Sequence, residues 1–424
     1  MNQQSEINPY RITVANLSVL GTIQLHLRNP WIIAWWSAAY PGLGHLLLSK
    51  YLRGFLLLIL EIIVNYNAKI NLAIFYSFIG EVEQAKIVIN KDWLLLYCAT
   101  YIFAIWDSYR TTVDLNNQYK LAAREDAKVE AFKISSLEIN YLDKRSPLNS
   151  LIWSAMMPGT GQLYIHRILV ATFIIVWWFS QCYLSKILPA THYSFFGQFE
   201  QAKSVLHIQW FLNIPSIYIF SIYDAYTNTI ENNKLYDWEQ SKFLIRQYQC
   251  EKFKMPIKDG KYRRESMYII ATFEHNIFLE MAITAIQMKG VQKERILAAP
   301  LDKGGEVVKL FDSIHRSDGL SLIDLAAVLG SIFMVLGAIY GFVLEWGPIW
   351  WGLIGMFFGF AVGIIIKLYT TKKYSESRNK DPKGAEVVLI IECNENEAEM
   401  IKSTLWEHHA LGVSKLDFEH VARI

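Results

Sequence analysis

Trp36-Ser37-Ala38-Ala39-Tyr40-Pro41-Gly42-Leu43-Gly44 and Trp153-Ser154-Ala155-Met156-Met157-Pro158-Gly159-Thr160-Gly161 are one pattern written twice, 117 positions apart. Worked outward, the register holds without a gap, so that Pro30–Thr112 lies over Pro147–Thr229. Tyr76-Ser77-Phe78 meets Tyr193-Ser194-Phe195, and Glu83-Gln84-Ala85-Lys86 meets Glu200-Gln201-Ala202-Lys203. Both copies are strongly apolar, and an internal duplication of apolar segments is the mark of a repeated membrane unit.

The composition agrees: 53% of residues are hydrophobic, 14% aromatic and only 19% charged, which places the chain among membrane proteins. A net charge of +2, with basic residues spread between apolar runs rather than gathered on one face, gives no basis for nucleic-acid binding. Cys98, Cys182, Cys250 and Cys393 form no CxxC pair and have no metal-ligand spacing, so buried thiols are expected and no metal site or cofactor is. The first thirty residues lack a secretory leader pattern. Arg11–Arg28 is read as an amphipathic helix on the membrane surface.

Each copy contains three apolar stretches: Trp31–Leu48, Phe55–Tyr66 and Trp93–Trp106, then Leu148–Ile165, Thr172–Tyr183 and Trp210–Tyr223. Crossing a bilayer takes about 20 helical residues, so the second and third need flanking residues to span. The first carries Pro41, Gly42 and Gly44, or Pro158, Gly159 and Gly161, in its middle. Proline removes a helix hydrogen bond and glycine loosens the backbone, so two short helices joined by a structural turn are predicted. Such a segment re-enters the membrane or lies at its interface if protein covers the freed backbone groups.

Charge counting bears on this choice. Asp107–Ser146 carries seven Lys or Arg and Glu231–Glu265 carries nine, whereas Asn67–Asp92 and Leu184–Gln209 carry three and two. Both basic linkers are therefore expected in the cytoplasm, which requires an even number of crossings per copy. A crossing by Ile70–Ile89 is the alternative, made costly by Glu81, Glu83 and Lys86.

Pro158, Gly159, Gly161, Gln162 and Tyr164 resemble the P-G-x-G-Q-x-Y signature that ends the first helix of a group of small bacterial membrane proteins. The first copy departs from it at His45 and Leu47. The resemblance covers about forty residues in each copy and implies a bacterial membrane location, without an activity.

Beyond the second linker the chain changes character. Met267–Phe273 reads as a strand, Asn276–Lys289 as a capped helix stopped by Gly290, and Arg295–Ala299 as a second strand. Glu386–Glu392, Glu395–His409 and Ser414–Glu419 repeat that order. Two β-α-β units predict a ferredoxin-like sandwich with Ile270 and Ile390 on its inner strands. Between them lie two apolar spans, Leu322–Leu344 and Ile349–Leu368, followed by Lys367, Lys372, Lys373, Arg378 and Lys380, which place the flanks in the cytoplasm. The order of elements resembles bacterial ferredoxin-like domains carrying a transmembrane hairpin between their halves, some of them in stress-associated membrane proteins. Gly337 and Gly341, then Gly355, Gly359 and Gly363, recur at four-residue spacing and favour close helix packing, within the hairpin or between copies of the chain.

The predicted architecture is thus a polytopic α-helical membrane protein. A tandem repeat and a hairpin supply about six transmembrane helices plus two re-entrant or interfacial segments. A cytoplasmic α+β ferredoxin-like domain is split by that hairpin. Its parts are an N-terminal segment (1–29), repeats (30–117 and 147–234), linkers (118–146 and 235–265), ferredoxin-like halves (266–316 and 384–421) and the hairpin (320–370).

Candidate polar positions are few. Glu61 stands in an apolar run, where a carboxylate is costly, and is read as a proton- or cation-coupling site, as a carboxyl kept neutral, or as a partner of Lys69 or Arg53. Its counterpart is Trp178. Asp107 and Asp224 occupy matched places and are expected to pair with Lys50 and Arg167. Tyr76, Glu83, Gln84 and Lys86, with Tyr193, Glu200, Gln201 and Lys203, would either line a shared groove or form two surface helices. Glu274 and His275 are placed beside Asn394 and Asn396 as a small-ligand site or as turn and cap residues. No nucleophile elbow, phosphate loop, HExxH or redox pair is present, so no catalytic residues are assigned and the chain is expected not to be an enzyme. Three classes remain: a non-enzymatic membrane scaffold or regulator presenting the ferredoxin-like domain to a protein partner or a second copy, a transporter or channel using Glu61, and an intramembrane enzyme.

Overall fold

The computed structural model describes residues 11–249, 253, 257–258, 261–262, 267–301, 322–375 and 386–416. The chain divides into a helical body, Met1–Tyr141, Arg145–Glu231 and Val308–Ser377, and a sheet unit, Leu142–Lys144, Asn232–Val307 and Arg378–Ile424.

The body starts with a hairpin of β1 (Ala15–Ser18) and β2 (Gly21–Gln24), which replaces the amphipathic helix expected over Arg11–Arg28. Ala15 and Leu17 are buried while Asn16 and Ser18 face outward, a two-residue period that suits a strand. Gly21 closes the turn at φ 149°, a conformation that favours glycine.

A first helical set follows: α1 (Pro30–Ala39), α2 (Leu43–Leu47), α3 (Tyr51–Ala68), α4 (Ile70–Phe78), α5 (Val82–Val88) and α6 (Lys91–Glu125). Asn29 caps α1 by accepting the Trp31 N–H, and Pro30 fills the first turn, where no N–H is needed. Gly42 then separates α1 from α2 at φ 103°. A side chain there would also strike α3, because a Cβ would sit 2.5 Å from the Gly54 carbonyl oxygen. The stretch Ile70–Ile89 is broken between α4 and α5 at Gly80 (φ 89°). A nine-residue α4 reaches only about 14 Å, short of a bilayer core.

After β3 (Phe132–Ile134) and β4 (Ile139–Tyr141), five helices with the lengths of α1 to α5 follow at a constant offset: α7 (Pro147–Met156), α8 (Thr160–Tyr164), α9 (Ile168–Ser185), α10 (Ile187–Phe195) and α11 (Phe199–Val205). Gly159 at φ 101° makes the matching turn. The counterpart of α6 is divided into α12 (Ile208–Phe211) and α13 (Ile214–Tyr248). Pro215 is the cause: it lacks an N–H and clashes one turn back, whereas the first copy has Cys98 at that place.

The basic linker after α13 contains short strands β5 (Ile257–Lys258) and β6 (Lys261–Tyr262). The sheet unit then builds β7 (Met267–Phe273), α14 (Ile277–Met288) and β8 (Ile296–Pro300). Helices α15 (Leu322–Tyr340) and α16 (Gly347–Ser375) follow and belong to the body. The chain then supplies β9 (Val387–Cys393), α17 (Glu395–Glu407) and β10 (Gly412–Leu416). Strands run in the order β10-β7-β9-β8, each antiparallel to its neighbours. Ile269, Ala271, Phe273, Leu389 and Ile391 form the buried face with α14 and α17. Ile270 and Ile390 are on the two inner strands, as expected, and are direct cross-strand partners, but their side chains lie on the face away from α14 and α17 and are half-buried. Their expected core place belongs to the odd-numbered residues, since alternate side chains point to opposite faces.

Among the described residues four helices are long and apolar enough to cross a membrane: Tyr51–Ala68, Ile168–Ser185, Ile323–Tyr340 and Gly347–Tyr369. Two bent pairs, α5 with α6 at 93° and α11 with the helices after it at 90°, raise that to six if each counts as one span. The hairpin joins both sets in one interior, with Ala327 and Met356 beside Trp36, Ile174 and Phe220. Its glycines make α15 and α16 touch. A Cβ at Gly337, Gly355 or Gly359 would come within 2.4 Å of a backbone carbonyl oxygen on the facing helix, and Gly341 and Gly363 are as tight against Pro348 and Ala326.

Candidate functional site

One group of polar residues of the body converges at a seam between the two helical sets. Glu61 projects from the inward face of α3, with Leu57, Leu58, Val64 and Asn65 one turn away on either side, and is 5% exposed. Its partners are neutral. The Asn65 amide donates to its Oε1 at 2.8 Å and the Tyr97 hydroxyl at 3.4 Å. Neither expected cation holds it, since Arg53 is committed to Asp107 and Lys69 lies beyond the end of α3 in a left-handed cap.

From Asn65 the network crosses to the second set. Gln209 donates to the Asn65 Oδ1 at 2.8 Å and to the Asn65 carbonyl at 3.0 Å. Its own Oε1 accepts the Leu72 N–H. Asn71 donates to Asn213 Oδ1 at 2.7 Å and to the Gln209 carbonyl at 2.9 Å. The chemistry follows from the break before Pro215: interrupting a helix frees a carbonyl, and a buried carbonyl needs a donor. Asn71 supplies it. A crevice bordered by Tyr40, Asn65, Tyr66, Gln209, Trp210 and Asn213 holds about 10 Å³ for the centre of a water-sized sphere, room for about one water molecule.

The seam is one-sided. The positions that match Glu61, Asn65 and Asn71 are Trp178, Cys182 and Leu188. No duplicated motif marks Asn65, Asn71, Gln209 and Asn213, and sequence reasoning missed all four; the signal that could have found them is several amides recurring in apolar segments beside a proline.

The matched aspartates each gather a small cluster. Asp224 is fully buried and is held by Arg167, by Gln162 Nε2 at 3.1 Å and by Asn228 Nδ2 at 2.9 Å. Asp107 is held by His45 Nε2 at 3.0 Å and Arg53 at 2.7 Å. Arg167 is the expected partner, but Lys50 is not: Arg53, one turn further along α3, takes its place and Lys50 is exposed. His45 on α2 and Gln162 on α8 hold equivalent places in their helices, so each set aims a ring or amide nitrogen at its aspartate. Removing one partner of the buried Arg167–Asp224 pair would leave an uncompensated charge, at about 3–5 kcal/mol.

The remaining candidates separate. Lys86 pairs with Glu83 and Lys203 with Glu200, each at 2.8 Å along its own short helix. Gln84 and Gln201 are exposed and only Ala85 and Ala202 turn inward. Glu274 and His275 lie at the opposite end of the sheet from Asn394 and Asn396, because β7 and β9 are antiparallel and Met267 faces Cys393. Asn394 caps α17 in a reciprocal arrangement with Glu397. Among the described residues no three His, Cys, Asp or Glu side chains converge as metal ligands would. No protein-family model, curated protein or solved structure matches the chain.

Proposed function

We propose that the chain is an integral protein of a bacterial cytoplasmic membrane and a non-enzymatic scaffold or regulator, whose duplicated helical body anchors a cytoplasmic ferredoxin-like interaction or sensing domain. The observation that carries this reading is the pairing of β8 with β9. These strands flank the apolar hairpin in sequence and are neighbours in one sheet, so the sheet closes only if both ends of the hairpin emerge on one side of the membrane. The β-α-β-β-α-β order and the antiparallel strand order support the ferredoxin-like description. The equal lengths and constant offset of the first five helices in each set support the duplication.

The test is photocrosslinking in cells from Met281 or Met288, both exposed on α14. Discrete protein adducts that vanish when Ile391→Asp unfolds the sheet support the reading. Loss of every adduct from both positions in a folded chain overturns it.

One observation favours a second reading, a transporter or channel: Glu61 is buried at the seam between the sets, next to Asn65, which borders the crevice. In reconstituted vesicles a coupled flux would be abolished by Glu61→Gln; flux unchanged by that substitution removes Glu61 from any such role.

A further inference from the structure

The sheet unit contains a buried histidine on which four distant segments meet. His275 follows β7 and is 5% exposed. Its ring Nδ1 is 2.9 Å from Gln240 Oε1 and its Nε2 is 3.1 Å from Ser241 Oγ, both on α13. Its backbone N–H donates to Glu386 Oε2, just before β9, at 2.7 Å. Its carbonyl accepts from Lys144 Nζ at 3.2 Å, and that ammonium also reaches Asp237 at 3.0 Å and Glu386 at 3.6 Å.

Gln240 Nε2 faces three acceptors, the Asn276 carbonyl at 2.9 Å, the Tyr236 hydroxyl at 2.9 Å and Glu280 Oε1 at 2.8 Å, so the amide nitrogen belongs on that side, its Oε1 is left as an acceptor and Nδ1 of His275 must carry a proton. Ser241 has one hydroxyl hydrogen and two claimants, His275 Nε2 and the Asp237 carbonyl at 2.8 Å. With a neutral ring the hydroxyl must serve Nε2 and forgo Asp237. With a protonated ring Nε2–H donates to Oγ and the hydroxyl turns to the Asp237 carbonyl, so both claimants are served. The charged groups on the segments packed round the ring are Asp237, Glu239 and Lys242 of α13, Asp143 and Lys144 of the linker, Glu274 beside it, Glu280 of α14 and Glu386. Acids outnumber bases among these groups, and their charge opposes the cost that burial sets on a protonated ring.

We propose that His275 is a proton-responsive fastening: protonated, it ties the ends of β7 and β9 to the last turns of α13 through Gln240 and Ser241, and on losing its proton it loosens them. The inference rests on reading the sheet unit as an interaction or sensing domain, and names how that domain is regulated. Ser241 acts through His275 and is a positioning residue.

The test is hydrogen exchange of the full chain in nanodiscs, corrected for intrinsic rates, across pH values from about 5.5 to 8, where an imidazole changes charge. Backbone amides at 240–248 and 386–388 should exchange several-fold faster at the upper end. His275→Gln should make them insensitive to pH, and Ser241→Ala, which only removes the rotating hydroxyl, should shrink the pH response while the sheet stays folded. A flat wild-type profile, or the same pH response in both variants, overturns the proposal. Crosslinks from Met281 that form while exchange is flat leave the interaction reading standing without this regulation. A pH response that follows His275 with no crosslink at any pH does the reverse.

Discussion

At the scale of single residues, environment rather than residue type divides the acidic side chains. Glu61 is held by an amide and a hydroxyl, Asp224 by a buried guanidinium and two amides, and Glu83 and Glu200, both exposed, by lysines one turn along their own helices, pairs that add little in water. Glu397 offers a measurable case outside the membrane. Hydrogen bonds from Arg295 and from the Asn394 N–H hold its carboxyl below the ordinary carboxylate range. A lowered folded value means that the stabilisation is complete above the unfolded value, about 4.3, and is lost as pH falls through the folded one. Glu397→Gln is therefore expected to lower sheet stability modestly at neutral pH and to flatten its decline in acid, read as exchange protection of β7 and β9 against pH. A decline of unchanged steepness would show that other carboxylates carry it.

At the scale of elements, contact distances and register decide which positions tolerate change. Gly352 and Gly355 sit one turn apart on α16, yet a Cβ at Gly352 meets nothing nearer than 3.6 Å, while one at Gly355 would lie 2.0 Å from the Phe333 carbonyl oxygen. Gly355→Ala should cost about 1–3 kcal/mol through forced separation of α15 and α16, and Gly352→Ala should be close to neutral. Thermal unfolding in detergent checks the ordering, and equal midpoints would remove the close-packing account. In the sheet, Ile391→Asp places a charge on the fully buried face and should cost several kcal/mol, whereas Ile270→Asp on the part-exposed face should cost less. Proteolysis of the sheet unit reads the difference, with the helical body remaining resistant in both.

At the scale of the whole molecule, the proposed orientation puts both basic linkers on one side. Single cysteines at Lys128 and Arg246, in a background lacking Cys98, Cys182, Cys250 and Cys393, should be shielded from an impermeant thiol reagent outside intact cells; those at Lys86 and Lys203 should react. Arg378, the third expected cytoplasmic marker, lies outside the described residues. Labelling of only one linker would require an odd number of crossings per copy and would end the re-entrant arrangement.

The apolar segments, the positions of the turns and the β-α-β order were legible in the sequence because each depends on local causes: hydrophobic run length, proline and glycine at fixed places, and caps such as Asn276. The break at Pro215 was equally local, although its consequence was not. Freeing the Gln209 carbonyl matters only because Asn71, more than a hundred residues earlier, comes within 2.9 Å to satisfy it. The same holds for Arg53 displacing Lys50 at Asp107, for the opposite ends taken by His275 and Asn394, and for the face on which Ile270 falls. Sequence by itself determined which segments are apolar, where they bend and which elements recur, since backbone preference and side-chain polarity are properties of neighbours along the chain. Only the tertiary structure decided which polar groups share a buried seam, because the need to satisfy every buried donor and acceptor is met by whatever packing brings near.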